Sequence, residues 1–329
     1  MPRHRVLLTG WFSFEHGEAT AGDLLAAEAV AAALRRAGRA YDVAWSPVLA
    51  GAAAAGGPLA AGALSRGAPS AGPPAQLELG RADPARYTHL VFACGPLHSR
   101  PPAPLLGLHR RFAAARRIAV GVSVLDPDDP AVRGFHRVLL RDAPDRPPRP
   151  DLSTAAPRPP ADHPGPPVVG VILTHGQHEY GARRRHAEAA AVLDAWLGSL
   201  DAAPVVLDTR VDPRDWRLPS APDRLHAVLR RLDAVVTDRL HGLVLALRAG
   251  VPALAVDPVA GGAKVSAQAA ALDWPAVLPG ESLSAAGLDR WWSWCLGPGA
   301  RALARRHAAA PSGDADPELL RALLAELRH

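Results

Sequence analysis

Arg239-Leu240-His241-Gly242 follows a short apolar run, and Lys264 follows the next one, behind Gly261-Gly262. These are the residue types that handle a small anion. A guanidinium is a planar fork for carboxylate or phosphate. An imidazole can give or take a proton near neutral pH. An ammonium is a compact point charge. The expected assignment is His241 as acid/base, with Arg239 and Lys264 as anion clamps. Lys264 is one of 37 Lys and Arg residues and the chain's only lysine. Where arginine serves as well, this sequence carries arginine, so the retained lysine points to a site that needs an ammonium.

The elements that position these residues are legible around them. Asp233-Ala-Val-Val-Thr-Asp238 reads as a buried parallel strand, with Thr237 and Asp238 able to cap the next element. Leu240, Leu243, Val244 and Leu247 have helical spacing and stop at Gly250. Val251 to Asp257 is a second apolar run. The unit is βαβ, with Arg239 and His241 at a helix N-terminus, where backbone N–H groups and the dipole favour an anion. Asp223-Arg224-Leu225-His226 repeats Asp238-Arg239-Leu240-His241. This earlier copy opens an amphipathic helix ahead of the strand and reads as structural.

The rest of the chain alternates in the same way. Arg5 to Thr9 is an expected strand, followed by a loop with His16, Gly22 and Asp23 and then a helix from about Leu24 to Arg36. Further strands are expected near 41–48, 89–94, 117–123 and 135–141, with a helix at 105–115. Asp142 to Pro167 is dense in proline and cannot continue a helix or central strand. It reads as an interdomain linker. A new strand begins at Val168, and strand–helix alternation resumes. The expected organisation is an N-terminal Rossmann-like domain, 1–145, a linker, 146–167, and a C-terminal Rossmann-like domain, 168–329. The expected class is α/β. Trp291, Trp292 and Trp294 read as packing residues.

Arg239-Leu240-His241, the apolar helix, Ala249-Gly250-Val251-Pro252, the strand and Lys264-Val265 resemble the hallmark of the polysaccharide pyruvyl transferase family. The resemblance implies two Rossmann-like domains facing across a cleft, as in GT-B enzymes. It implies transfer of a pyruvyl group from phosphoenolpyruvate to hydroxyls of a sugar-containing acceptor, commonly as a cyclic ketal, with release of phosphate. Asp23 then stands as a first-domain carboxylate near the acceptor. Gly22 and Gly242 join Arg239, Lys264 and His175 as the expected substrate-binding set. The chain departs from the family at several places. Leu24 replaces a Glu, and Cys94-Gly95-Pro96 stands where a Gly-Gly pair is usual. Ser123 ends a strand in the family's manner. Thr174 or His175 occupies the slot of a donor-holding Arg, with His178 or one of Arg183 to Arg185 as substitutes.

Composition narrows the alternatives. The net charge of +5 comes with arginines spread along the chain and few aromatics, unlike a nucleic-acid surface. Cys94 and Cys295 cannot make a disulfide framework. His175 and His178 lack an evident third metal ligand, so neither metal nor cofactor is expected. No run approaches the ~20 apolar residues of a membrane span. The expected location is cytoplasmic, with peripheral membrane contact for a lipid-linked acceptor. The nearest rival is a GT-B glycosyltransferase using a nucleotide sugar, against which the loop from Asp257 to Lys264 offers no carboxylate pair for ribose. The other rival is a non-catalytic ligand-binding relative.

Overall fold

The structure is a computed structural model describing residues 5–15, 19–54, 64, 72–158, 164–174, 178–309 and 318–327. The chain divides into two compact units, Met1–His163 and Pro164–His329. Each holds one parallel sheet interleaved with helices, so the α/β, Rossmann-like class holds for both.

In the first unit the strands are β1 (Arg5–Gly10), β2 (Ala40–Trp45), β3 (Gln76–Glu78), β4 (His89–Leu97), β5 (Arg116–Val124) and β6 (Arg137–Asp142). Their order is β3-β2-β1-β4-β5-β6, the doubly wound order of dinucleotide folds. Helix α1 (Ala21–Arg36) follows β1. Shorter helices are α2 (Pro47–Ala54), α3 (Pro104–Arg111) and α4 (Pro130–Arg133). Parallel strands covered on both faces are apolar along their length, which is why Leu7, Leu8, Leu90 and Phe92 are fully buried. The proline-rich stretch has structure of its own. Asp151 pairs with Arg141 at 2.6 Å, and a 3-10 turn, Leu152–Ala155, packs on α1.

In the second unit the strands are β7 (Val168–Ile172), β8 (Ala203–Val206), β9 (Ala234–Thr237), β10 (Ala253–Asp257) and β11 (Val277–Pro279). Their order is β11-β10-β9-β7-β8. The direction of winding reverses between β7 and β9, and open α/β sheets bind ligands outside the carboxyl ends of strands at such a point. The helices are α5 (His186–Ser199), α6 (Pro222–Leu229), α7 (Leu240–Arg248), α8 (Lys264–Ala271), α9 (Ala285–Leu296), α10 (Pro298–Ala309) and α11 (Glu318–Glu326). The tryptophans of α9 pack inside this unit: Trp292 lies edge-on to Trp196, and Trp294 to Trp274. No described helix is long and apolar enough to cross a membrane.

Candidate functional site

Thr209, Arg210, Arg239, Leu240, His241 and Lys264 line one cavity of about 360 Å³ in the second unit. It sits at the carboxyl ends of β8, β9 and β10. The spacing that singled out Arg239, His241 and Lys264 therefore corresponds to one place in space. Arg239 is the N-cap residue of α7, and His241 lies in that helix's exposed first turn. Gly242 is there for packing. A Cβ at this position would run into the Thr237 side chain at the end of β9. Thr237 needs its place, since its hydroxyl donates to the Ile172 carbonyl at 2.8 Å and accepts from the Arg239 N–H at 3.0 Å. Gly242 thus lets α7 start close to the strand end, which sets where His241 projects.

Arg239 is already partly engaged. Its Nη1 donates to Asp208 Oδ1 at 2.6 Å and to Thr209 Oγ1 at 3.1 Å, so one side of the fork is held by the loop after β8. Asp208 also takes the Arg210 side chain at 2.7 Å. Burial alone would push the Asp208 carboxyl up, but hydrogen bonds from Arg210 and the charge of Arg239 outweigh it and hold it below the ordinary carboxylate range. Among the described residues the other side-chain N–H groups of Arg239 have no hydrogen-bond partner, and Arg239 lines the cavity. Sequence reasoning missed Arg210 and Thr209. The signal available was a cation and a hydroxyl just past a strand's carboxyl end.

Lys264 opens α8. Its Nζ lies 3.5 Å from Glu179 Oε1 and 5.6 Å from the Tyr180 ring centre. Both partners belong to the 3-10 stretch His178–Arg183 after β7. That stretch is pinned to the loop after β10, since Ala260 N–H donates to the Arg183 carbonyl and Arg185 N–H to that of Pro258. Gly261 and Gly262 have φ of 78° and 76°, a conformation that side chains disfavour, so the pair is a requirement of this loop. Asp257 organises it, accepting the N–H groups of Val259, Ala263 and Ser266. Glu281 accepts that of Gly261. Those carboxylates are committed to backbone, and the Lys264–Glu179 pair is exposed enough to be weak and exchangeable.

His186, the first residue of α5, is 3 % exposed, and among the described residues neither ring nitrogen has a hydrogen-bond partner. Burial, then the charges of Arg184 and Lys264, hold it below the usual histidine range, so it stays neutral. Asp238 is 1 % exposed. Its Oδ1 accepts the Thr174 N–H at 2.7 Å, joining the ends of β7 and β9 across the reversal point, while Oδ2 has no partner among the described residues. Burial pushes this carboxyl up to about 7, against the pull of Thr174 and Arg239.

Asp23 and Gly22 belong to the first unit and fall inside the first turn of α1, which begins at Ala21. Asp23 is a capping residue. Its Oδ2 accepts the Thr20 N–H at 3.1 Å and the Thr20 hydroxyl at 2.8 Å, while its own N–H donates to Thr20 Oγ1 at 3.2 Å. Gly22 has room for a Cβ, so neither sterics nor a positive φ demands glycine there. His175 lies outside the described residues, as does His16. Ser123 is held by the first unit itself, donating to Asp142 and accepting from Arg141. Cys94 and Gly95 keep the left-handed turn, φ 66° and 80°, at the place of the family's glycine pair. Trp11 covers it, donating to the Pro96 carbonyl and stacking on His98. Among the described residues no three His, Cys, Asp or Glu side chains gather as a metal site.

Residues 217–258 match the model of the polysaccharide pyruvyl transferase family. The resemblance carried by Arg239-Leu240-His241 thus stands over that segment, which is the segment of a transferase family. The match ends before Lys264. No curated protein matches the chain. Solved structures similar to it include the glycosyltransferase SnogD from Streptomyces nogalater, at 15 % identity and TM-score 0.33, covering 100 % of both chains. MurG from Acinetobacter baumannii is 12 % identical at TM-score 0.31, covering 99 % of both. The spinosyn rhamnosyltransferase SpnG is 13 % identical at TM-score 0.35, covering 99 % of this chain and 100 % of its own. Likeness at this level says nothing about what the present chain binds.

Proposed function

We propose that the second unit binds phosphoenolpyruvate and that the protein transfers its pyruvyl group to hydroxyls of a sugar-containing acceptor. The observation that carries this reading is the meeting of Arg239, His241 and Lys264 in one cavity. The family match over 217–258 supports it. Phosphoenolpyruvate presents a planar carboxylate, a phosphate and an enol carbon to be protonated. The free side of Arg239 suits the carboxylate, and Lys264 suits phosphate oxygen. A proton delivered to the methylene carbon leaves C2 oxocarbenium-like. One acceptor hydroxyl adds to C2 and loses its proton. The C2–O bond to phosphate then breaks with its electron pair going to phosphate, and a second hydroxyl closes the ketal. The two hydroxyl protons balance those gained by carbon and phosphate. His241 is the group placed to move them.

The test is phosphate release from phosphoenolpyruvate with candidate glycosides, beside calorimetric binding of phosphoenolpyruvate alone. His241→Ala should lower turnover by ~10²-fold or more, the usual worth of a positioned acid or base, with little loss of donor binding. Arg224→Ala, in the repeated tetrapeptide, should leave both unchanged. Wild-type turnover in the His241 variant would end the assignment.

A further inference from the structure

The repeated tetrapeptide ends in His226, and His226 lines a second, larger cavity of about 590 Å³. This cavity lies at the opposite edge of the same sheet, where Asp233 and Pro252 lead into the amino ends of β9 and β10. Four arginines converge on it: Arg230 from the end of α6, Arg248 from the end of α7, and Arg301 and Arg305 from α10. All four are exposed, and among the described residues none of their side chains has a hydrogen bond or ion pair. Elsewhere in this unit Arg210, Arg214 and Arg217 each lie against an aspartate two residues earlier.

Local duties do not account for the four. Arginines near helix C-termini can serve dangling carbonyls. At α7 those carbonyls are closed by backbone, with Ala249, Gly250 and Val251 N–H groups donating to Leu245, Leu247 and Ala246. At α6 the N–H groups of Arg230, Arg231 and Leu232 do the same, and the Arg231 guanidinium takes the Ala227 carbonyl. The two helix ends contribute about one negative charge between them. Asp233 adds one more, although its carboxylate already accepts the Val168 N–H at 2.8 Å. Four guanidiniums leave a surplus of about two positive charges around a cavity open enough for a ligand. Arg301 and Arg305 stand one turn apart on α10, where like charges repel unless an anion lies between them. The lining contains no Phe, Tyr or Trp, so it offers no platform for a base or sugar ring.

We propose that this cavity is a binding site for a multiply charged phosphate group, pyrophosphate-like in size and charge, gripped by the forks of Arg230, Arg248, Arg301 and Arg305. It shares no residue with the cavity around His241, so it stands or falls independently of the pyruvyl-transfer reading. A membrane headgroup and a soluble phosphorylated compound present the same chemistry. The probe is inorganic pyrophosphate, titrated calorimetrically into the full chain at low and moderate salt. Wild type should bind it, more weakly as salt rises. Arg301→Gln/Arg305→Gln should weaken binding at least ~10-fold with an unchanged melting temperature, and Arg214→Gln, in an exposed pair with Asp212 and outside both cavities, should bind as wild type does. Vesicles of phosphatidylglycerol, sedimented with wild type and the double variant, separate the sources. Wild-type co-sedimentation lost in the double variant assigns a headgroup; pyrophosphate binding without co-sedimentation assigns a soluble ligand. No pyrophosphate binding by wild type at low salt, or equal affinity in the double variant, overturns the site.

Discussion

At the scale of single residues, charge count and charge shape make different demands. Arg239 already commits part of its fork to Asp208, and Lys264 sits beside Glu179 and Tyr180. An anion arriving between them must find an ammonium that can turn away from Glu179 without losing its solvation all at once. A guanidinium at 264 keeps the charge but fixes its donor directions and can lock bidentately onto Glu179. Lys264→Arg should therefore cut phosphate release from phosphoenolpyruvate by at least ~10-fold, about 1.4 kcal/mol of transition-state stabilisation. Its melting temperature should barely move, because the side chain is partly exposed. Wild-type turnover in that variant would place the donor phosphate elsewhere. The residue types and their spacing were enough to single out Arg239, His241 and Lys264, which line one cavity. They were not enough to find Arg210, whose approach depends on β8 lying next to β7, a neighbour relation no periodicity encodes.

At the scale of elements, the junction of β7 and β9 is held by a side chain that changes charge near neutrality. Asp238 bonds the Thr174 N–H, and its buried carboxyl titrates at about 7, against an ordinary unfolded value near 3.9. Between those values the folded state holds a proton that the unfolded chain has released. Its contribution to stability is present in full below about pH 4 and is lost as pH rises through 7. Melting temperatures across that window and about one pH unit above it should fall for wild type and vary less for Asp238→Asn, with the variant the more stable on the alkaline side. Parallel curves would show that the carboxyl ionises normally. The sequence marked Asp238 as a cap. Burial reversed that role, because β9 is covered on both faces and the carboxylate has one N–H where it needs several.

At the scale of the whole molecule, strands and helices were legible because parallel strands buried on both faces read as unbroken apolar runs. The order of strands was not, since β1 and β4 or β7 and β9 become neighbours only through crossovers. The candidate cavity is built wholly from the second unit, which has its own sheet and core. Residues 164–329 expressed alone should melt cooperatively and bind phosphoenolpyruvate about as the full chain does, while failing to turn it over with an acceptor. Circular dichroism and calorimetry would read both. A fragment that folds without binding the donor would mean that the binding site needs residues from the first unit.

The lone lysine also makes the protein its own reporter. Apart from the α-amino group, reagents selective for primary amines have one target in this chain, and it lines the cavity beside His241. Reductive methylation with isotope-labelled formaldehyde should give a single side-chain signal in a carbon–proton correlation spectrum. That one peak would follow donor occupancy directly, with no assignment of the other residues required.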